Sequence, residues 1–186
     1  MIAVRQARMT DAPAIGAVHV SAWRSAYAGI LPENYLAGLS MQRQAVHYLR
    51  AIESGIGVHV VAISGADLGP KSGPPRIVGF STARRLETPG PYADGEIETL
   101  YVLDDWRDRG FGRRLMRASA EWLTAAGATS AFLWVLRDNP SRWFYSRLGG
   151  KPVAEQAIKF AGQDLIQTAY AWDSLDSLAQ AKPPTS

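Results

Sequence analysis

Residues 112–126 carry the clearest helical pattern in the chain. Leu115, Met116, Ser119, Trp122, Leu123 and Ala126 fall on one face, and Gly127 stops the run. An alternating segment at 96–103 precedes this helix. A mostly apolar segment at 131–136 follows it, the pattern of a strand covered on both faces. Strand, long amphipathic helix and buried strand in succession call for a sheet with helices packed on it.

The remaining segments extend that plan. Residues 2–8 alternate as a strand. Thr10 or Asp11 caps a helix with Pro13 in its first turn, and Ile15, Val18, His19, Ala22, Trp23 and Ala26 keep helical spacing. Pro32-Glu33 opens a short second helix, and a third spans 41–53. Strands are predicted at 58–63 and 77–84, a short helix at 141–148, and two last strands at 152–160 and 165–172 about a turn at 162–164. The Gly- and Pro-dense stretch 64–75 reads as a long hairpin connection. The expected fold is α/β (α+β mixed): a mixed, largely antiparallel sheet of about seven strands with helices on both faces. One domain spans 1–173, and 174–186 form a flexible tail.

Composition narrows the chemistry. The chain has 186 residues and is 47% hydrophobic, enough for a full core without staples. It has no cysteine, which excludes disulfides, thiolate metal sites and cysteine nucleophiles. His19, His47 and His59 have no metal-ligand spacing, so no metal is assigned. Neither a signal-peptide stretch nor a membrane-length apolar run is present, so a soluble cytoplasmic protein is expected. Of sixteen arginines, five fall between Arg107 and Arg117. Such a cluster is either a solvated helix face or a seat for an anion. Nucleic acid is disfavoured, because no aromatic residues interleave with the basic ones and no nucleic-acid module is recognisable.

Arg107-Asp108-Arg109-Gly110-Phe111-Gly112 joins a strand to the long helix. Two glycines allow close backbone approach, and a helix start offers unpaired N–H groups and a positive dipole end. Arg107, Arg109 and Arg113 add charge suited to phosphates. The hexapeptide is neither a Walker loop nor a dinucleotide fingerprint. Alone it is also compatible with a plain tight turn.

The stretch from Leu100 to Gly112 resembles the acetyl-CoA signature of GNAT N-acetyltransferases, a strand followed by Q/R-x-x-G-x-G/A. Leu133 to Asn139, followed by Phe144 to Gly150, resembles that family's second signature, and the element order is the family's own. The segment Val18 to Pro32 is similar to N-termini common among bacterial members of the family. The resemblance implies acetyl-CoA as cosubstrate. Its pyrophosphate would sit on the N–H groups from Asp108 to Arg113, Phe111 among them. Its pantetheine arm would lie along Leu100, Tyr101 and Val102, with an N–H near Val102 for the thioester oxygen. Asn139 stands for the asparagine of the second motif, although Asp138 has the family's spacing to Tyr145. The resemblance also implies a small-molecule or peptide amine as acceptor, and homodimers are common in the family.

Acyl transfer to an amine needs a base, an oxyanion donor and an acid for the leaving thiolate. Tyr145 is the candidate acid, in the family's tyrosine position. A phenol with pKa about 10 holds its proton at neutral pH. Glu96 and Glu98 are the candidate bases. Strand alternation predicts that both share a side with Leu100 and Val102. Glu96 leads, six residues before Val102, where some family members place a base. Trp134 occupies the place where ribosomal-protein acetyltransferases carry a glutamate, which weakens the case for that substrate. Trp23 and Tyr27, four apart on the first helix, are either core or an aromatic wall of the acceptor site. An active acetyltransferase is the leading expectation, ahead of a catalytically silent CoA-binding protein and of a basic nucleic-acid-binding domain.

Overall fold

In the computed structural model, which describes residues 1–64 and 75–179, seven strands form one sheet in the order β1-β2-β3-β4-β5-β7-β6. The strands are β1 (Ile2–Gln6), β2 (Gly57–Ile63), β3 (Arg76–Arg85), β4 (Gly95–Val102), β5 (Ala131–Leu136), β6 (Lys151–Phe160) and β7 (Gln163–Trp172). Neighbours are antiparallel except β4 and β5, which run parallel. The described residues also form six α-helices: α1 (Ala12–Ala26), α2 (Glu33–Ala37), α3 (Met41–Glu53), α4 (Phe111–Ala125) and α5 (Arg142–Arg147) between strands, and α6 (Asp176–Ala179) after the last strand. This is the mixed, largely antiparallel sheet expected from the sequence. Most of the connection at 64–75 lies outside the described residues, as does the tail from 180 onward.

Helices cover both faces. On one face Met116, Ala120 and Leu123 of α4 pack with Ile97, Leu133 and Val135. On the other, Ile15 and Val18 of α1 and Tyr48 of α3 pack on Val58, Val60 and Phe80. Every residue of β2 is buried, because it lies under both layers. The boundary predicted at 173 falls short of the packed core. Leu175 and Leu178 are 3% and 1% exposed and join the cluster under α4, so burial of two leucines extends order to α6. Asp11 does not cap α1 with its side chain. Its carboxylate is held instead by Arg5, at 2.7 and 3.0 Å, and by the Arg8 N–H at 2.7 Å. The β6–β7 turn sits one residue earlier than predicted, at Ala161-Gly162. Both residues have positive φ (50° and 77°), as a two-residue hairpin turn requires.

Two features of β4 shape the site. The first is a bulge. Thr82 pairs with Thr99 and Ala83 with Ile97, leaving Glu98 as the extra residue. A one-residue insertion flips every side chain beyond it. Ile97, Leu100 and Val102 therefore all pack toward α4, while Tyr101 packs toward α1. This overturns the predicted register. Glu96, next to Ile97, is on the α1 side, not the side of Leu100 and Val102.

The second feature is a splay. β4 and β5 pair only at Gly95 with Ala131 and Glu96 with Phe132. Just before that pairing, the Asp94 carboxylate accepts the N–H groups of Thr129 and Ser130 at 2.9–3.1 Å and both their hydroxyls. The strands are thus clamped at one end and part past Glu96.

Candidate active site

The opening between β4 and β5 leads into a cavity of about 760 Å³ lined by both strands, α1, the 106–113 loop and α5. The β4 edge facing it is open past Glu96. At the far end of β4 the Leu103 N–H donates to the Val78 carbonyl on β3 at 2.9 Å. Alternation along the strand then aims the N–H groups of Leu100 and Val102 into the opening.

Beyond β4 a single 3-10 turn, Asp104–Trp106, leads to the glycine loop. Arg107 is tied back to Asp104 by an ion pair at 2.9 Å. Asp104 also accepts the Ser25 hydroxyl at the end of α1. Asp108 (φ 56°) and Gly110 (φ 77°) are both left-handed, which turns the chain sharply into α4. The first helical hydrogen bond runs from the Arg114 N–H to the Gly110 carbonyl at 3.1 Å. The N–H groups of Gly110, Phe111 and Gly112 thus lie ahead of the helix's own ladder, as an anion site needs. Gly112 is where three elements meet. A Cβ there would stand 3.2 Å from Phe144 on α5 and 3.8 Å from Leu100 on β4.

The arginine cluster divides. Arg107 and Arg113 line the cavity, and Arg147 of α5 joins them. Arg109 stacks on Trp106 at 4.6 Å, Arg114 lies over Phe111 at 5.9 Å, and Arg117 pairs with Glu121 at 2.8 Å.

Tyr145 is 7% exposed and lines the cavity, with its ring 5.4 Å from Phe144 and 6.2 Å from Tyr170. Burial, with Tyr27 nearby, pushes its pKa above the ordinary 10, so the phenol holds its proton. Asn139 is buried and lines the cavity, and its Oδ1 accepts the Ser141 N–H at 2.9 Å. Asp138 points away, 69% exposed, with only Arg137 at 4.0 Å. Spacing left these two residues as alternatives, and the fold brings only Asn139 to the cavity. Tyr27, Tyr101 and Asn139 all line the cavity where α1, β4 and the β5–α5 loop converge, and burial raises the Tyr27 pKa.

The glutamates separate. Arg84 holds both, with Nη2 3.0 Å from Glu96 and Nε 3.0 Å from Glu98. Only Glu98, the bulged residue, lines the cavity. Burial raises its pKa, against the pull of Arg84. The expectation that Glu96 leads is therefore not met by the geometry.

Trp23 and Tyr27 line the same cavity, with ring centroids 4.7 Å apart. Trp23 Nε1 is buried without a hydrogen-bond partner, so packing alone holds its ring. His19, expected from sequence only to keep helical spacing and to bind no metal, stacks on Trp23 at 5.0 Å and contacts the Tyr48 hydroxyl at 2.7 Å. The signal was present, since His19, Trp23 and Tyr27 follow each other at four-residue steps on α1. Phe160, at the end of β6 and 6.0 Å from Trp23, carried no such signal. Among the described residues no cluster of His, Asp and Glu is arranged to hold a metal, and no helix is long and apolar enough to cross a membrane.

Comparison with known proteins agrees with this geometry. The family model described as FR47-like protein matches residues 87–158, from the loop before β4 into β6. The uncharacterized N-acetyltransferase YuaI of Bacillus subtilis (strain 168) is 30% identical over 178 residues, 96% of each chain. A GCN5-related N-acetyltransferase from Rhodopseudomonas palustris superposes with a TM-score of 0.66 at 21% identity, covering 91% of this chain and 93% of that one. The PaiA N-acetyltransferase of Thermoplasma acidophilum, solved with coenzyme A, gives 0.63 at 18% identity over 90% and 98% of the two chains. YncA of Salmonella typhimurium, a structure with acetyl-CoA as its cofactor, gives 0.66 at 17% identity over 100% and 99%. A sheet splayed between two parallel strands, a glycine loop opening the helix between them and a relative matched over nearly the whole chain lead to one assignment: the chain belongs to the GCN5-related (GNAT) N-acetyltransferase family.

Proposed function

We propose that the protein transfers the acetyl group of acetyl-CoA to a primary amine by direct attack within a ternary complex. The observation that carries this reading is the cavity in the β4–β5 splay. It is bordered at one end by the 108–113 loop and lined by Tyr145 and Glu98. Those groups fit the cosubstrate. N–H groups at a helix start, with Arg107 and Arg113, suit a pyrophosphate. The open β4 edge suits the amides of a pantetheine arm, which would extend the sheet by one strand. Bound acetyl-CoA supplies the acetyl group and a thiolate leaving group.

The chain's own residues do the rest. The Val102 N–H donates to the carbonyl oxygen as negative charge builds there. Glu98 attracts the acceptor ammonium and takes its proton through water. Tyr145, protonated at neutral pH, gives its proton to the departing sulfur. Asn139 fixes the entry to α5 through the Ser141 N–H, and so the placement of Tyr145.

The test pairs calorimetry of CoA binding with acetyl-CoA consumption over a broad panel of amines. The wild type should bind CoA and turn over at least one amine. Tyr145→Phe should keep the affinity and lose on the order of 10²-fold in kcat. CoA binding without turnover of any amine would identify a silent CoA-binding protein. An unchanged kcat in Tyr145→Phe would make Tyr145 a packing residue.

A further inference from the structure

We infer that the acceptor is a monoamine on a flat, apolar body, an arylalkylamine in chemical class, with no carboxylate and no second cationic centre. This inference rests on the acetyltransferase reading above and names its second substrate. It comes from the asymmetry of the cavity. The arginines that line it, Arg107, Arg113 and Arg147, all belong to the glycine loop, α4 and α5, the side assigned to CoA. Among the described residues that line the opposite wall there is no arginine or lysine. That wall is built from Trp23, Tyr27, Tyr101, Trp134 and Phe160, with Glu98 as its charged group.

The aromatic wall is coherent. Trp23 stands 4.7 Å from Tyr27, 6.4 Å from Tyr101 and 6.0 Å from Phe160, each pair tilted. Trp134 sits on the α1 side of β5, edge-on to Tyr92 at 5.8 Å. Such a wall accepts a ring or short aliphatic body through area burial and tilted ring contacts, and it attracts one ammonium by cation–π interaction. Arg84 is shared between Glu96 and Glu98, so one net negative charge remains at Glu98's end of the cavity for that ammonium.

The same wall rejects the common alternatives. An amino acid would bring its carboxylate beside Glu98, where the neighbouring cation, Arg84, is already shared between Glu96 and Glu98 and does not line the cavity. A polyamine or aminoglycoside would bring further ammonium groups and find one carboxylate for all of them. Desolvating an unpaired charge against aromatic rings costs more than the ring contacts return.

The experiment measures kcat/KM at saturating acetyl-CoA for three probes: 2-phenylethylamine, L-phenylalanine and spermidine. The first two differ only by a carboxylate. The inference predicts 2-phenylethylamine ahead of both others by at least 10²-fold. Phe160→Ala should lower its kcat/KM about tenfold or more while CoA affinity stays at the wild-type level. Equal or better turnover of L-phenylalanine or spermidine overturns the inference, as does an unaffected Phe160→Ala variant. If none of the three is acetylated although acetyl-CoA binds, calorimetry on the CoA complex decides. Tighter binding of 2-phenylethylamine than of spermidine upholds the acceptor class and overturns the catalytic reading. The reverse order, or no binding of 2-phenylethylamine, overturns the acceptor class.

Discussion

His19 Nδ1 lies 2.7 Å from the Tyr48 hydroxyl, and both side chains are buried between α1, α3 and the sheet. Burial, assisted by the charge of His47, holds the imidazole pKa down at about 4 against an ordinary 6.5. The folded protein thus keeps His19 neutral where the unfolded chain protonates it. Stability is fully present above pH 6.5 and is lost as pH falls toward 4, by up to about 3 kcal/mol. His19→Phe keeps a ring against Trp23 but leaves Tyr48 one partner fewer. It should cost about 1 kcal/mol at pH 7.5. Its unfolding midpoint should also fall less steeply than wild type between pH 6.5 and 4.5. Some slope should persist, because burial depresses His59 in the same direction. Parallel midpoint-versus-pH curves for the two proteins would show that His19 does not titrate this way.

Gly110 and Gly112 should respond differently to substitution. Gly110 has φ 77° and open space around it, so Gly110→Ala should cost about 1 kcal/mol of stability through backbone strain. Gly112 has ordinary backbone but faces Phe144 at 3.2 Å from its would-be Cβ. Gly112→Asp places bulk and negative charge at the proposed phosphate seat and should weaken CoA binding by at least 10²-fold. Calorimetry on a folded Gly112→Asp protein with undiminished CoA affinity would remove the loop from the site.

Glu98→Gln should slow turnover most at neutral pH, where the acceptor amine is almost wholly protonated. Raising the pH should restore much of the rate, since free amine then forms without the base. Glu96→Gln should change the profile little, because Glu96 is turned out of the cavity lining and serves Arg84. A pH–rate profile shifted by Glu96→Gln and not by Glu98→Gln would reverse the assignment.

Asp94 sits at the closed end of the splay. Burial alone would raise its pKa, but hydrogen bonds from Ser130 and Thr129 outweigh that and bring it to about 2, below the ordinary 3.8. Its contribution is present above pH 3.8 and is lost as pH falls toward 2. Asp94→Ala should therefore cost about 2–3 kcal/mol near neutral pH, with the gap to wild type narrowing below pH 4. Thermal melts at pH 7 and pH 3 check this. A gap of the same size at both would mean that the loss is not that of the carboxylate.

The strands, the long helix and the glycine loop were legible because each is encoded locally. Helical spacing from Leu115 to Ala126, an apolar run from Ala131 to Leu136 and left-handed turns at glycine need no distant partner to be recognised. The family signatures added the expectation of Tyr145, and the fold brings Tyr145 to the cavity. What the tertiary structure decided depends on residues far apart in the chain. The bulge at Glu98 exists only in the pairing of β4 with β3, and it turns Glu96 to the face opposite Leu100 and Val102, while the pairing of Glu96 with Phe132 keeps Glu96 at the closed end of the splay. Asn139 lines the cavity and Asp138 faces solvent because the β5–α5 loop presents one of them inward, which spacing to Tyr145 does not encode. Phe160 meets Trp23 across more than a hundred residues of chain, so the aromatic wall proposed to select the acceptor forms only when the β6–β7 hairpin closes against α1.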